Sequence, residues 1–224
     1  MKPSVTASHQ STLREKLFKI LLGCGIFSSL LYVCTDLFAA NQWTNYQYCS
    51  QSVSELEAID APTRPVLLFF FTFYSLLVVL FGSLIRKLFK HRPGIRTTGA
   101  LLVIYGIIGE VTLLFFPIHL RGKGMTATDT MHIVLTGANV LCMLMVITLG
   151  ATADARIFRY YSYLTLLILI VFGILTGLDG RLIASGQPTP WVGVKERINI
   201  YGYMLWMGVL AFVLFGARDR LAPR

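Results

Sequence analysis

The run VLLFFFTFYSLLVVLFGSLI, residues 66–85, decides the fold. It carries no charge along its whole length. Wound as a helix at about 1.5 Å per residue, it reaches roughly 30 Å, the thickness of a bilayer's hydrocarbon core. Barrel strands are shorter and alternate, and this run does neither. In lipid its backbone N–H and C=O groups must be satisfied within the segment. It reads as a membrane-spanning helix.

Working outward, five more runs of the same kind follow the pattern: residues 17–40, 99–117, 131–151, 160–178 and 198–216. Their connections are short and leave no room for a soluble domain. The expected fold is an all-α six-transmembrane-helix bundle, one integral membrane domain over residues 1–224. Composition agrees, with 55% hydrophobic and 14% charged residues, where soluble domains carry about a quarter charged. The first run exceeds the core of a signal peptide, and Cys24, Ser28, Ser29 and Asp36 interrupt it, which favours a retained span over a cleaved leader.

Lys and Arg set the orientation. Fourteen of the 20 flank one face of the bundle: before and just inside the first span, between spans two and three, between four and five, and in the C-terminal tail. Both tails, residues 1–16 and 217–224, are therefore expected in the cytoplasm, with the protein in the cell (inner) membrane. The net charge of +9 also suits anionic headgroups. Basic residues scattered at helix ends do not make a nucleic-acid face, so membrane lipids, and not nucleic acid, are the expected partners.

The acids distribute the other way. Of the 11, only Glu15, Asp154 and Asp219 fall clearly on the basic side. Glu110 lies halfway along the third span, where an unpaired charge is costly. It reads either as a proton-carrying or ligand-contacting carboxylate, or as a neutral group bonded to a neighbouring helix. Asp36, near the outer end of the first span, is either an interfacial acid or a site carboxylate. On the fourth span Asp129, His132, Thr136 and Asn139 are spaced three, four and three apart and share one helical face. The stripe reads as a site wall or as interhelical hydrogen-bonding glue. His119 follows the proline that ends the third span and is a possible partner of His132. Asp179 sits in a Gly-flanked turn after the fifth span. Glu196 suits the start of the last helix, while Arg197 there is less expected and should face an acid: Asp36, Glu55 or Glu110.

The connection SQSVSELEAIDAPTRP, residues 50–65, carries its own start and stop signals. Ser52 with Glu55 three later fits a capping box, giving a short interfacial helix from residue 53 to about 59 that stops before Ala61-Pro62. Thr63 or Arg64 then caps the second span, with Pro65 in its first turn. Ser54, Arg64 and the tyrosines 46 and 48 have no such local explanation. They suggest the lid of an outer-leaflet pocket.

YCSQSVSELEAIDAPTRP after the first span, FFPIH ending the third, His132 opening the fourth and VKERI before the sixth resemble the bacterial six-helix membrane family called domain of unknown function 998. The resemblance covers nearly the whole chain and implies the six-helix plan, but no activity. The family pattern commonly has Gly where this chain has Glu57, and Asp near His119. More distantly, the acidic serine loop followed by proline resembles the Frag1/DRAM/Sfk1 membrane proteins, implying a link to lipid handling. A looser likeness to the alkaline ceramidase group, which holds zinc with three histidines, implies at most a mixed zinc site here, using His119, His132 and Asp129, or Asp36.

Three functions remain. The leading one binds a lipid or other amphipathic molecule in a polar pocket at the outer leaflet, with Ser52, Glu55, Arg64, Asn139, Asp179, Glu196 and Arg197 as contacts. The second is a lipid-modifying enzyme, acting by acyl transfer or hydrolysis, with Asp36, Ser54, Glu110 and His132 as catalytic candidates. The third is a small proton-linked transporter using Glu110. No nucleophile elbow or metal motif is present in the sequence.

Overall fold

A computed structural model describes residues 5–153 and 156–218. The described residues form seven helices: α1 Val5–Gln42, α2 Val53–Leu56, α3 Arg64–Leu88, α4 Pro93–Phe115, α5 Ala127–Gly150, α6 Arg156–Ala184 and α7 Val192–Gly216. All but α2 are long and apolar enough to cross a membrane. Among the described residues there is no strand. Lys2, Asp154, Asp219, Arg220 and Arg224, which entered the charge argument, lie outside the described residues.

Several helices outrun their apolar segments. The α4 helix starts at Pro93, whose fixed φ and missing N–H suit a first turn, six residues before the apolar run. The α6 helix extends through Ala184. Hydropathy marks only the lipid-embedded length, and polar residues at either end continue the same hydrogen-bond ladder into the interface. In α2 the reverse holds. It ends at Leu56 and not near residue 59, because the main chain leaves the ladder for another partner: Ile59 N–H donates to the carbonyl of Ile118, in the α4–α5 connection, at 2.8 Å.

The spans pack as an open ring in the order α6, α7, α1, α3, α4, α5. The closest approach is α3 on α4. There Gly82 and Gly99 face each other, and a Cβ on either would lie about 2.5 Å from the other's carbonyl oxygen. Small residues let membrane helices pack this closely. The α7 helix forms the centre, with Tyr203, Met204, Trp206, Met207 and Leu210 almost wholly enclosed. Trp206 Nε1–H donates to Ser162 of α6 at 2.9 Å, so the indole is buried without an orphan donor. Cys24, Cys34, Cys49 and Cys142 are free thiols.

The ring does not close where α5 and α6 should meet. These helices touch only sparsely, and the outward faces of both are apolar and exposed, Leu141 at 62% and Ile174 at 61%. In a membrane that seam faces acyl chains. It lies beside the cavity described next.

Candidate functional site

The connection between α1 and α3 is fastened to the bundle by two arginines. Arg197, in the first turns of α7, is 3% exposed and Asp36 of α1 is fully buried. The guanidinium donates from Nε to Asp36 Oδ2 at 2.8 Å and from Nη2 to Oδ1 at 2.9 Å. Nη2 also reaches the Tyr46 hydroxyl at 2.8 Å, and Nη1 reaches the Tyr48 carbonyl at 2.8 Å. The Tyr48 ring lies 3.7 Å from the guanidinium carbon, a cation–π contact. Tyr201 donates its hydroxyl proton to Asp36 Oδ2. Asp36 is thus the acid that Arg197 faces, and both charges are compensated within the fold. The loop presses so closely on α7 that a Cβ at Gly193 would sit 2.2 Å from the Tyr48 carbonyl oxygen.

Arg121, from the α4–α5 connection, makes the second fastening. It donates to both oxygens of buried Glu55, at 2.5 and 2.8 Å, to Thr189 Oγ1 at 2.6 Å and to the Ser50 carbonyl at 2.7 Å. Glu55 meanwhile accepts from Ser52 N–H at 2.8 Å, the reach-back of a capping box. Ser52 and Glu55 therefore build the loop, and their polar groups are taken. Arg64 is likewise engaged with main chain, donating to the carbonyls of Glu57 and Leu113.

Three residues of this loop region point the other way. Glu196, one position before Arg197, accepts from Val53 N–H at 2.7 Å, supplying an acceptor at the start of α2, and from the Ser54 hydroxyl at 3.4 Å. Ser54, Glu57 and Glu196 line the top of a cavity of about 470 Å³. No protein group among the described residues hydrogen-bonds the Glu57 side chain. Burial, with the Glu196 carboxylate nearby and only partial relief from Arg64, pushes the Glu57 carboxyl up to about 8.

Below the roof the cavity is walled by residues of α1, α3, α4, α5, α6 and α7, with Val140 and Leu141 of α5 and Leu169 and Gly173 of α6 on the side of the sparsely packed α5–α6 seam. His132, Thr136 and Asn139 line one wall. The 3-4-3 stripe thus shares a face, except that Asp129 turns aside. Asp129 accepts from His119 N–H at 2.7 Å and Thr126 N–H at 2.8 Å, and its carboxylate lies 3.1 Å from His119 Nδ1. His132 Nδ1 lies 2.8 Å from the Phe116 carbonyl. A carbonyl only accepts, so Nδ1 carries the proton and Nε2 keeps a free lone pair. His119, His132 and Asp129 therefore do not converge. Among the described residues no group of three His, Cys, Asp or Glu side chains can hold a metal ion. The physical reason is that a turn folds His119 back onto the cap of α5, while the His132 ring is fixed by main chain on the cavity side.

Glu110 does not line the cavity. It accepts from Thr72 of α3 at 2.8 Å, and its other oxygen is buried without a partner. Asp179, at the end of α6, pairs with Lys195 at 2.5 Å, joining α6 to α7. Deeper along this pair, the Asn199 amide reaches α6. With its orientation assigned from the hydrogen-bond network, its nitrogen donates to the Leu169 carbonyl at 2.8 Å and its oxygen accepts from Gly173 N–H at 2.7 Å. These are consecutive partners of an α-helical ladder, four residues apart, so a side chain is inserted into α6 beside the seam. Sequence reasoning missed Asn199, Arg121 and Glu57. An Asn within an apolar run was the available signal for the first. The other two sat in connections where charge is ordinary.

Ser54 Oγ reaches Glu196, and His132 stands on the wall below with Nδ1 committed. No Ser–His pair forms among these candidates. The arrangement offers a chamber with two carboxyl groups at one end, an imidazole acceptor on its side and apolar walls beside the α5–α6 seam. No curated protein matches the chain, and no solved structure does. The family model described as "Protein of unknown function (DUF998)" matches residues 26–213, most of the length, and this multi-pass membrane protein belongs to that family.

Proposed function

We propose that the protein binds one amphipathic membrane molecule in the cavity under α2, with its tail leaving through the α5–α6 seam. The observation that carries this reading is the coincidence of a polar roof with apolar walls beside the sparsely packed α5–α6 seam. A volume of about 470 Å³ is typical of a small-molecule site. The excess of Lys and Arg on the opposite face supports an outer-leaflet position for α2 in the cell membrane with both tails in the cytoplasm. The fastenings by Arg197 and Arg121 support a preformed roof. A ligand then meets the roof without having to order it.

Gly137 on α5 and Gly177 on α6 line the cavity, and a Cβ at either meets nothing within 4 Å. A large side chain there fills the chamber without striking the bundle. In detergent, a neutral-headed fluorescent amphiphile should bind the purified protein saturably at one per chain. Gly177→Phe should weaken binding at least tenfold while leaving thermal unfolding unchanged. Non-saturable uptake, or equal binding by the filled variant, is the result that removes the reading.

A further inference from the structure

The cavity's own chemistry narrows the ligand. Its two ionisable carboxyl groups, Glu57 and Glu196, stand together at the roof. Among the described residues no lysine or arginine lines it. The nearby cations are turned elsewhere: Arg64 to two carbonyls, Arg197 to Asp36 and the loop. Among the described residues the Glu57 carboxyl has no protein donor. A second, independent feature lies on the wall. His132 lines the chamber and is 5% exposed, its Nδ1–H is held by Phe116, and nothing among the described residues bonds Nε2, which is left as an acceptor. The remaining polar groups are the Asn139 amide and hydroxyls such as Thr136 and Ser75, which adapt to either role. The unsatisfied capacity of the site is therefore two carboxyl groups and an imidazole acceptor, and Glu57, proton-bearing up to about pH 8 in the empty chamber, ionises against an arriving cation. Its complement is a head that only donates and is positively charged.

We infer that the ligand is an ammonium-bearing amphiphile, its N–H donors taken by Glu57, Glu196 and the Nε2 of His132 and its tail in the seam. This rests on the reading of the cavity as an amphiphile site. An ammonium has three donors and no acceptor, which matches two carboxyl groups at the roof and one imidazole acceptor on the wall. The paired carboxylates also account for specificity. A carboxylate or phosphate head would find two acids and, among the described lining residues, no basic one to pair with, an unfavourable arrangement. A neutral alcohol would leave the charged acceptors partly unpaired.

The test is displacement of the neutral fluorescent amphiphile from the intact protein in detergent by dodecylamine, dodecanol, dodecanoate and ethylamine at neutral pH. Dodecylamine should compete at least tenfold better than dodecanol, dodecanoate worst of all, and ethylamine not measurably. In Glu57→Gln and Glu196→Gln the advantage of amine over alcohol should fall several-fold. The latter keeps an acceptor for Val53 N–H, so α2 retains its start. His132→Ala supplies an independent variant that leaves the roof intact. Equal competition by dodecylamine and dodecanol overturns the ammonium assignment and leaves the amphiphile site standing. Competition by ethylamine at dodecylamine's concentration overturns the amphiphile in favour of a small amine. Failure of the fluorescent probe itself to bind removes the underlying reading.

Discussion

Removing Arg197 tests the central joint of the fold. Arg197→Ala leaves Asp36, fully buried, with only the Tyr201 hydroxyl as partner. It also strips donors from the Tyr46 hydroxyl and the Tyr48 carbonyl. Breaking one side of a buried ion pair costs about 3–5 kcal/mol, because the surviving charge is uncompensated. Asp36→Ala should cost a similar amount, since it strands the guanidinium. The double variant Asp36→Leu with Arg197→Met carries no buried charge. Its residual loss is the bonds to the Tyr46 hydroxyl and the Tyr48 carbonyl and the one from Tyr201, about 3 kcal/mol, from roughly 1 kcal/mol for each hydrogen bond no longer made. The assay is denaturant unfolding in detergent micelles, run as a double-mutant cycle. The expected pattern is two severe singles and a milder double. Arg197→Lys should fall between, because an ammonium keeps the charge but cannot fork across both Asp36 oxygens. Singles that each cost under about 1 kcal/mol, or that add within about 0.5 kcal/mol, would refute the reasoning.

Glu57 gives a pH signature. Its carboxyl is raised to about 8, so below the ordinary Glu range both folded and unfolded states hold the proton. Between there and pH 8 only the folded state does, and stability falls as pH rises, by at most about 1.4 kcal/mol per unit. Glu57→Gln should flatten that slope in thermal unfolding between pH 5 and 9, and a slope unchanged by the substitution would count against the burial argument. Gly193→Ala places a methyl 2.2 Å from the Tyr48 carbonyl and 2.4 Å from that of Gln51, so the loop must lift. A loss of about 1–3 kcal/mol and new protease cleavage between residues 45 and 60 are expected, and an unchanged digest would contradict the contact. Glu55→Ala frees Arg121 from its carboxylate and should cost about 2–4 kcal/mol, with most of the loss recovered in Glu55→Ala combined with Arg121→Met.

The spans were legible because lipid imposes a length and a composition that few other structures share. The caps of α2 and α3 were legible too, since capping is decided within four residues. The site was legible only in outline. The periodicity of His132, Thr136 and Asn139 named a wall correctly, because a helix converts spacing into direction. It could not show that Asp129, one turn earlier, is taken by His119 across a turn. Nor could spacing choose among three acids for Arg197, since its partner lies 161 positions away. The α5–α6 seam left no sequence signal either. A helix face that meets lipid and one that meets another helix are both apolar, and only packing separates them.

The Asp36–Arg197 pair also bears on the order in which the protein is made. Asp36 lies in the first span and Arg197 at the threshold of the last. During synthesis the acid enters the bilayer long before its base exists. Until α7 arrives, α1 carries an unmatched acid, α2 lacks the Glu196 acceptor at its start, and the roof has nothing to rest on. The first span's charge is therefore balanced only when the last helix is in place: five spans without residues 192–216 leave Asp36 without its guanidinium.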